Sequence, residues 1–413
     1  MTLIVDNRSI VKFCATLTYT SGLVTHFAAI LPTSIKYAFY GVSLIAGWLA
    51  IIIGRNSCEN KKICQYSDIW FIFVVGLIIL GAMRSDFFTD GFDLNIFLAQ
   101  DLRFVTFVGI GIILADKNYW DSYVKIIYFV SAIAIIMGII ALTQYNFSYA
   151  GAEEGQRLGL WDLPYYLWWA SGSVFSFVYS YSRIMRKNRL VGYGAFLTYA
   201  ILGLLFIKRA SFVNVFVCIV ITEFLMPHKD TSRKFSIGTV VKLFVIIGIG
   251  LYILYSVPYT RALVDAMIER FSSQGGFLEY DRAREASAYF ATTGISDIAL
   301  GQGIGHYVST SRLINALHTG LYNLVYKGGI VFIVIYVYYV VRILKSFVYR
   351  KTLDSVEIAC LCVGVSYFVS MFYEASWSYT IYMMQYVTPI VALLTGALHN
   401  NGDCDYMRDR FYG

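Results

Sequence analysis

The sequence predicts an all-α polytopic membrane protein, with about twelve transmembrane helices and one long outer loop. Three observations predict it. Of 413 residues, 58% are hydrophobic and only 14% are charged, where a soluble domain carries about 25% charged residues. Mean hydropathy is +0.62. Apolar runs recur at the roughly 20 residues needed to cross a bilayer. Together these exclude a soluble globular enzyme, a disordered chain and a nucleic-acid-binding domain. The formal net charge of +7 fits the Lys and Arg that cytoplasmic loops of membrane proteins collect.

The expected spans run in order from the N-terminus. Span 10–31 stops at Pro32, and 38–54 is followed by Arg55, Lys61 and Lys62. Asp86, Asp90 and Asp93 follow span 69–83; spans 103–116 and 122–143 come next, the latter trailed by Glu153 and Glu154. Span 163–182 carries Pro164 at its start and is followed by Arg183, Arg186, Lys187 and Arg189. Only Lys208 and Arg209 part 190–207 from 210–226, after which come Pro227, Lys229, Arg233 and Lys234. Span 237–257 stops at Pro258, and 320–341 precedes Arg342, Lys345, Arg350 and Lys351. The last two are 355–373 and 379–398, the latter kinked by Pro389. Proline at a span end loses little, because its missing N–H has no helical acceptor there.

Basic loops alternate with acidic or nearly uncharged ones, so the positive-inside rule puts both termini in the cytoplasm. The chain divides into transmembrane helices at 1–257, an outer loop at 258–319, further helices at 320–398 and a cytoplasmic tail at 399–413. The loop is too long for a simple connection. Its stretches Arg261–Phe271 and Arg282–Thr293 read as amphipathic helices lying in the interface. A late, unmatched loop argues against a transporter of two equal halves. None of the seven cysteines falls in that loop, which speaks against a disulfide framework. Cys58 and Cys64 lack zinc-motif spacing. The first residues, MTLIVDNRSI, do not read as a removable signal peptide.

Ionisable groups near the outer face are costly and therefore candidates for function. Lys208 and Arg209 form a cationic hairpin at the head of a span, either a snorkelling turn or an anion site. Arg282 and Arg284 open a helix-like stretch that ends in Gly301-Gln302-Gly303-Ile304-Gly305. That glycine run lacks the βαβ context of a nucleotide site and reads alone as a tight turn. His318 stands at the mouth of span 320–341 with Tyr322 a turn further on; it is either a polar cap or a general base. Arg157 precedes an aromatic group, Trp161, Tyr165, Tyr166, Trp168 and Trp169, that reads as an interfacial belt or a platform for sugar rings. Arginine forks suit a pyrophosphate. No metal-ligand cluster stands out, so neither metal nor cofactor is expected.

Arg209 in its Lys-Arg-Ala-Ser turn, Arg284 with the glycine run, and Leu-His-Thr-Gly-Leu-Tyr at 317–322 resemble the O-antigen ligase and polysaccharide polymerase superfamily. Within it, the chain looks most like the bacterial (Wzy-type) polymerases. The motifs cover about residues 209–330. Lys208, Ala288, Ala299 and Thr319 stand where the family usually has other residues. The resemblance implies a GT-C-like, inverting, metal-independent glycosyltransferase of the bacterial inner membrane, working at its periplasmic face. It implies undecaprenyl-pyrophosphate-linked glycan as donor and acceptor, with a chain-length regulator as partner. Arg209 and Arg284, with Arg282, Arg157, Lys208 and Tyr322, would bind substrate, and His318 would be the base. Two alternatives stay open: a ligase acting on lipid A–core, and a lipid-linked oligosaccharide flippase.

Overall fold

A computed structural model describes residues 6–26, 32–84, 96–144, 173–188, 190–194, 217–218, 220–223, 225, 237–258, 261, 265, 294–305, 309–310, 313–314, 320–349, 355–371 and 382–397. Among these the regular secondary structure is helical, apart from a two-residue antiparallel pairing of β1 (Ser309–Thr310) with β2 (Leu313–Ile314). The helices are α1 (Asn7–His26), α2 (Thr33–Ser57), α3 (Lys61–Arg84), α4 (Arg103–Leu114), α5 (Lys117–Gln144) and α6 (Ser173–Lys187). They continue with α7 (Ile237–Ser256), α8 (Ile295–Leu300), α9 (Gly320–Tyr349), α10 (Ser355–Ser370) and α11 (Tyr382–Thr395). A π-helix, Ile96–Leu102, leads directly into α4.

Three of the described helical stretches, Ser34–Ser57, Lys61–Met83 and Gly320–Ile343, are long and apolar enough to cross a bilayer. Arg103–Leu114, Ser355–Val369 and Tyr386–Thr395 are apolar but shorter. The protein is therefore helical with the character of a membrane protein. Exposed apolar side chains are numerous: Val241, Phe244, Val245, Ile249 and Ile253 on α7, and Ile330, Val331, Val334, Val337 and Val341 on α9. In water such faces would be a liability; against lipid tails they need no partner.

α4 is the central post. Every residue of it except Val108 is buried, as a helix that is apolar all round requires. α2 approaches it through Gly47, which faces Thr106 and Ile110, and Gly54, which faces Ile113. Trp70 of α3 donates its indole N–H to the Val105 carbonyl at 3.1 Å. Trp120, Tyr123 and Phe175 form one aromatic cluster between α5 and α6, with ring centroids 5.2–5.8 Å apart. Tyr367 and Tyr386 join α10 to α11 at 4.9 Å.

Several expected boundaries move, each for a local reason. The expected loop 56–68 shrinks to Cys58–Asn60, because Asn60 Oδ1 caps α3 by accepting from the N–H groups of Lys62 (3.0 Å) and Ile63 (3.4 Å). Arg55, expected just before that loop, and Asp68, expected at its end, form a two-pronged ion pair at 2.7 and 2.9 Å between α2 and α3. Buried Asp116 ties the same turn down: Oδ2 accepts from Asn60 N and Cys58 Sγ, both at 3.2 Å, while Oδ1 takes Asn118 N–H at the start of α5. Arg342 and Lys345 lie inside α9, not in a turn beyond it. Pro389 lies within α11 as expected. The aromatic belt and the stretch 282–293 fall outside the described residues, as does 261–271 apart from Arg261 and Asp265.

Candidate functional site

The glycine run is not a simple turn before a span. It is packed into the helix bundle, and the reason lies in its own sequence. Gly301, Gly303 and Gly305 have φ of 78°, 74° and 92°, values that side chains with a Cβ rarely adopt. α8 delivers them: the Asp297 carboxylate accepts the Gly294 N–H at 3.1 Å, and Gly301 N–H closes the helix on the Asp297 carbonyl at 2.7 Å.

The receiving surface is a break in α9. Gly329 has φ 63° and ψ −158° inside an otherwise helical run. The break frees carbonyls of the preceding turn, and the glycine run meets them. Gln302 N–H donates to the Tyr326 carbonyl at 2.7 Å, and Gly303 N–H donates to that of Lys327 at 2.9 Å. A Cβ on Gly301 would stand 2.6 Å from Gly329 N and 2.7 Å from Gly328 N. On the other side, one on Gly303 would press Gly81 of α3 and lie 2.7 Å from the Leu77 carbonyl oxygen. Irregular backbone at membrane depth is tolerated where protein satisfies it.

Charge sits beneath this plug. Lys327 Nζ and Asp101 Oδ2 form an ion pair at 2.8 Å, with side chains 6% and 1% exposed. The same Oδ2 accepts Gly305 N–H at 2.6 Å. One carboxylate oxygen thus holds the broken helix and the glycine run together. Lys327 lies about 10 Å along α9 from Gly320, at 1.5 Å per residue. Arg103, two residues after Asp101, is also buried, at 4% exposure. It donates from Nη2 to Thr25 Oγ1 at 2.9 Å and lies 4.6 Å from the Tyr40 ring centroid.

Of the residues expected in the site, Tyr322 is half-buried in the first turn of α9. His318, Arg209, Arg284, Arg282, Arg157 and Lys208 lie outside the described residues. Asp101, Arg103 and Lys327 were missed. Their signal was available: charges at or within apolar runs are expensive and rare, and Lys327 precedes Gly328-Gly329. Arg103 opens the expected span 103–116 and Lys327 lies within 320–341, so charge enters the helices as well as the loops. Among the described residues no group of three or more His, Cys, Asp or Glu side chains could hold a metal ion.

Further along α9, an apolar cavity of about 260 Å³ opens among α3, α4, α9, α10 and α11. Tyr66, Trp70, Phe332, Tyr339, Tyr367 and Tyr386 contribute to its wall. Its described wall is aliphatic and aromatic, without Asp, Glu, Lys, Arg, His or Cys, and offers space for hydrocarbon.

No protein-family model matches the sequence, and no curated protein matches it.

Proposed function

We propose that the protein is an inverting, metal-independent membrane glycosyltransferase that polymerises undecaprenyl-pyrophosphate-linked oligosaccharide repeat units into O-antigen or a related surface polysaccharide. In this reading the chain crosses the bacterial inner membrane about twelve times, and segment 258–319 lies on the periplasmic side. The observation that supports it best is where the glycine run is anchored. It follows the arginine stretch of the resemblance and docks on α9, the helix that begins two residues after His318. The glycine run and the helix that follows His318, two parts of the resemblance, are thus bonded to each other.

The chemistry follows from the residue types. His318 takes the proton from an acceptor hydroxyl. The oxygen attacks the anomeric carbon from the face opposite the pyrophosphate, and the bond to the leaving oxygen breaks, its electron pair going to the lipid pyrophosphate. Arg209 and Arg284, with Arg282, Arg157 and Lys208 around them, stabilise that growing charge as bidentate or point partners. Tyr322 faces the sugar. A chain-length regulator would act on this membrane-embedded machine as a partner. General-base assistance contributes about 10²–10⁴-fold, and removing His318 loses that share.

The broken α9 and the buried Asp101–Lys327 pair favour one second reading, a lipid-linked oligosaccharide flippase, since transporters use discontinuous helices and intramembrane charges. One experiment separates the readings: surface polysaccharide on a gel from a deletion strain, with and without wild type or His318→Ala on a plasmid. A polymerase leaves lipid A–core capped by one repeat unit, and His318→Ala fails to restore the ladder. A ligase leaves bare core with long chains still on the carrier. A flippase leaves bare core and no polymer, and His318→Ala restores the wild-type pattern.

A further inference from the structure

We infer that Arg103 holds a lipid-borne phosphate group at the end of the bundle where α1 finishes, α2 begins and α4 starts. Arg103 is 4% exposed. Its contacts are neutral: the Thr25 hydroxyl at 2.9 Å, a side-chain hydrogen bond to Tyr40, whose ring centroid is 4.6 Å away, and the Phe107 ring at 5.8 Å. Its Nε–H is buried and has no hydrogen-bond acceptor. Asp101, the carboxylate two residues away, is engaged by Lys327 and Gly305. Arginine stays charged in proteins, and a buried charge without a counter-charge is among the most costly arrangements a fold can carry. The site is therefore one anion short among the described residues.

The geometry selects the anion's chemistry. Thr25 is the second-last residue of α1, and Tyr40 lies in the second turn of α2. Both place Arg103 near helix ends, at headgroup depth rather than at the centre of a span. Half-buried Lys36 lies one turn from half-buried Tyr40 on the same helix face, so a second cation marks the approach. A fixed fork with donors held by Thr25 and Tyr40 and the Nε–H left without an acceptor suits the several oxygens of a phosphate. A group carried on a lipid reaches this depth without leaving the bilayer. The identity of that lipid, the polyprenyl pyrophosphate carrier or a phospholipid, rests on the function proposed above; the anion site does not.

The test is ligand-induced stabilisation of the full-length protein in detergent, read as the unfolding midpoint Tm. Wild type, Arg103→Gln and Arg103→Lys are each measured alone and with sugar-free polyprenyl pyrophosphate, phosphatidylglycerol or inorganic pyrophosphate. Without ligand, Arg103→Gln is expected within about 2 °C of wild type, since no carboxylate among the described residues loses its partner. Polyprenyl pyrophosphate at 100 times its Kd raises the wild-type Tm by several degrees; Arg103→Gln abolishes the rise and Arg103→Lys retains part of it. The same pattern with phosphatidylglycerol alone supports a phospholipid headgroup, and with inorganic pyrophosphate alone supports a soluble phosphate reaching the same fork. An equal rise in wild type and Arg103→Gln overturns the inference. So does a ligand-free Tm that drops by much more than 2 °C in both variants, which would reveal a fork committed to protein. Neither readout depends on glycosyl transfer, so failure here leaves the His318 test standing.

Discussion

At the scale of the residue, the sharpest tension is a charge held where water is absent. Asp101 and Lys327 are nearly fully buried and bonded to each other at 2.8 Å. Such a pair gives little net stability against an apolar replacement, yet breaking it leaves one charge stranded. Asp101→Leu alone is expected to destabilise the protein by about 3–5 kcal/mol, whereas adding Lys327→Met recovers part of that loss, the Gly305 N–H still lacking its acceptor. Thermal unfolding of the four variants of the cycle checks it; a double variant as weak as the worse single one would refute it. A quieter case lies in the turn between α2 and α3. Burial, and then the hydrogen bond to Asp116, push the Cys58 thiol up from its ordinary range. A thiol raised on folding contributes stability that is present below its unfolded pKa of about 8.5 and is lost as pH rises above it. With Cys58 as the only cysteine, iodoacetamide at pH 8.5 should react at least about tenfold more slowly with folded than with denatured protein. Equal rates would mean the turn is open.

The element scale concerns how a short irregular segment is locked into a helical bundle. The glycine run works because it brings backbone, rather than side chains, against α3 and α9. Gly303 combines φ 74° with close contact to Gly81 and the Leu77 carbonyl. A side chain there meets both backbone strain, of order 1–3 kcal/mol, and a clash that flexible neighbours cannot relieve. Gly303→Ala should therefore cost at least about 2 kcal/mol and loosen the segment on α9. Gly76, on the same helix as Gly81, has nothing within 4 Å of an added Cβ. Gly76→Ala should be neutral or stabilise by up to about 1 kcal/mol through helix propensity alone. Unfolding midpoints of the two variants, compared side by side, decide whether the run is a docked element; similar values would say that it is not.

The whole molecule explains why parts of it could be read from sequence. Long apolar runs at bilayer length are visible in one dimension, so α2, α3 and α9 were legible, and so was Pro389 inside α11. The break in α9 was not, because Gly328-Gly329 in an apolar run is equally at home in a continuous helix. Its partner is 28 residues upstream at Gly301, and only the fold brings the two together. The same holds for Asp101, which is 226 positions from Lys327: a charge at the edge of a span does not name its counter-ion. That pairing in turn constrains topology. α3 has 24 residues, about 36 Å at 1.5 Å per residue, enough to cover a hydrocarbon core of about 30 Å. Lys61 opens this helix, whereas Gly81, near its other end, packs on Ile304. Residues 301–305 and Lys61 must then lie towards opposite surfaces of the membrane, whichever way the chain is oriented. Ser296 and Lys61 are both exposed, which makes them usable reporters. In a cysteine-free background, Ser296→Cys should be labelled by a membrane-impermeant maleimide in cells with a permeabilised outer membrane, and Lys61→Cys only after lysis. That outcome also fixes the sign of the charge pattern, with the basic turn at Arg55–Lys62 inside. Labelling of both from one side would mean that α3 does not cross the bilayer, and the outer placement of segment 258–319 would fall with it.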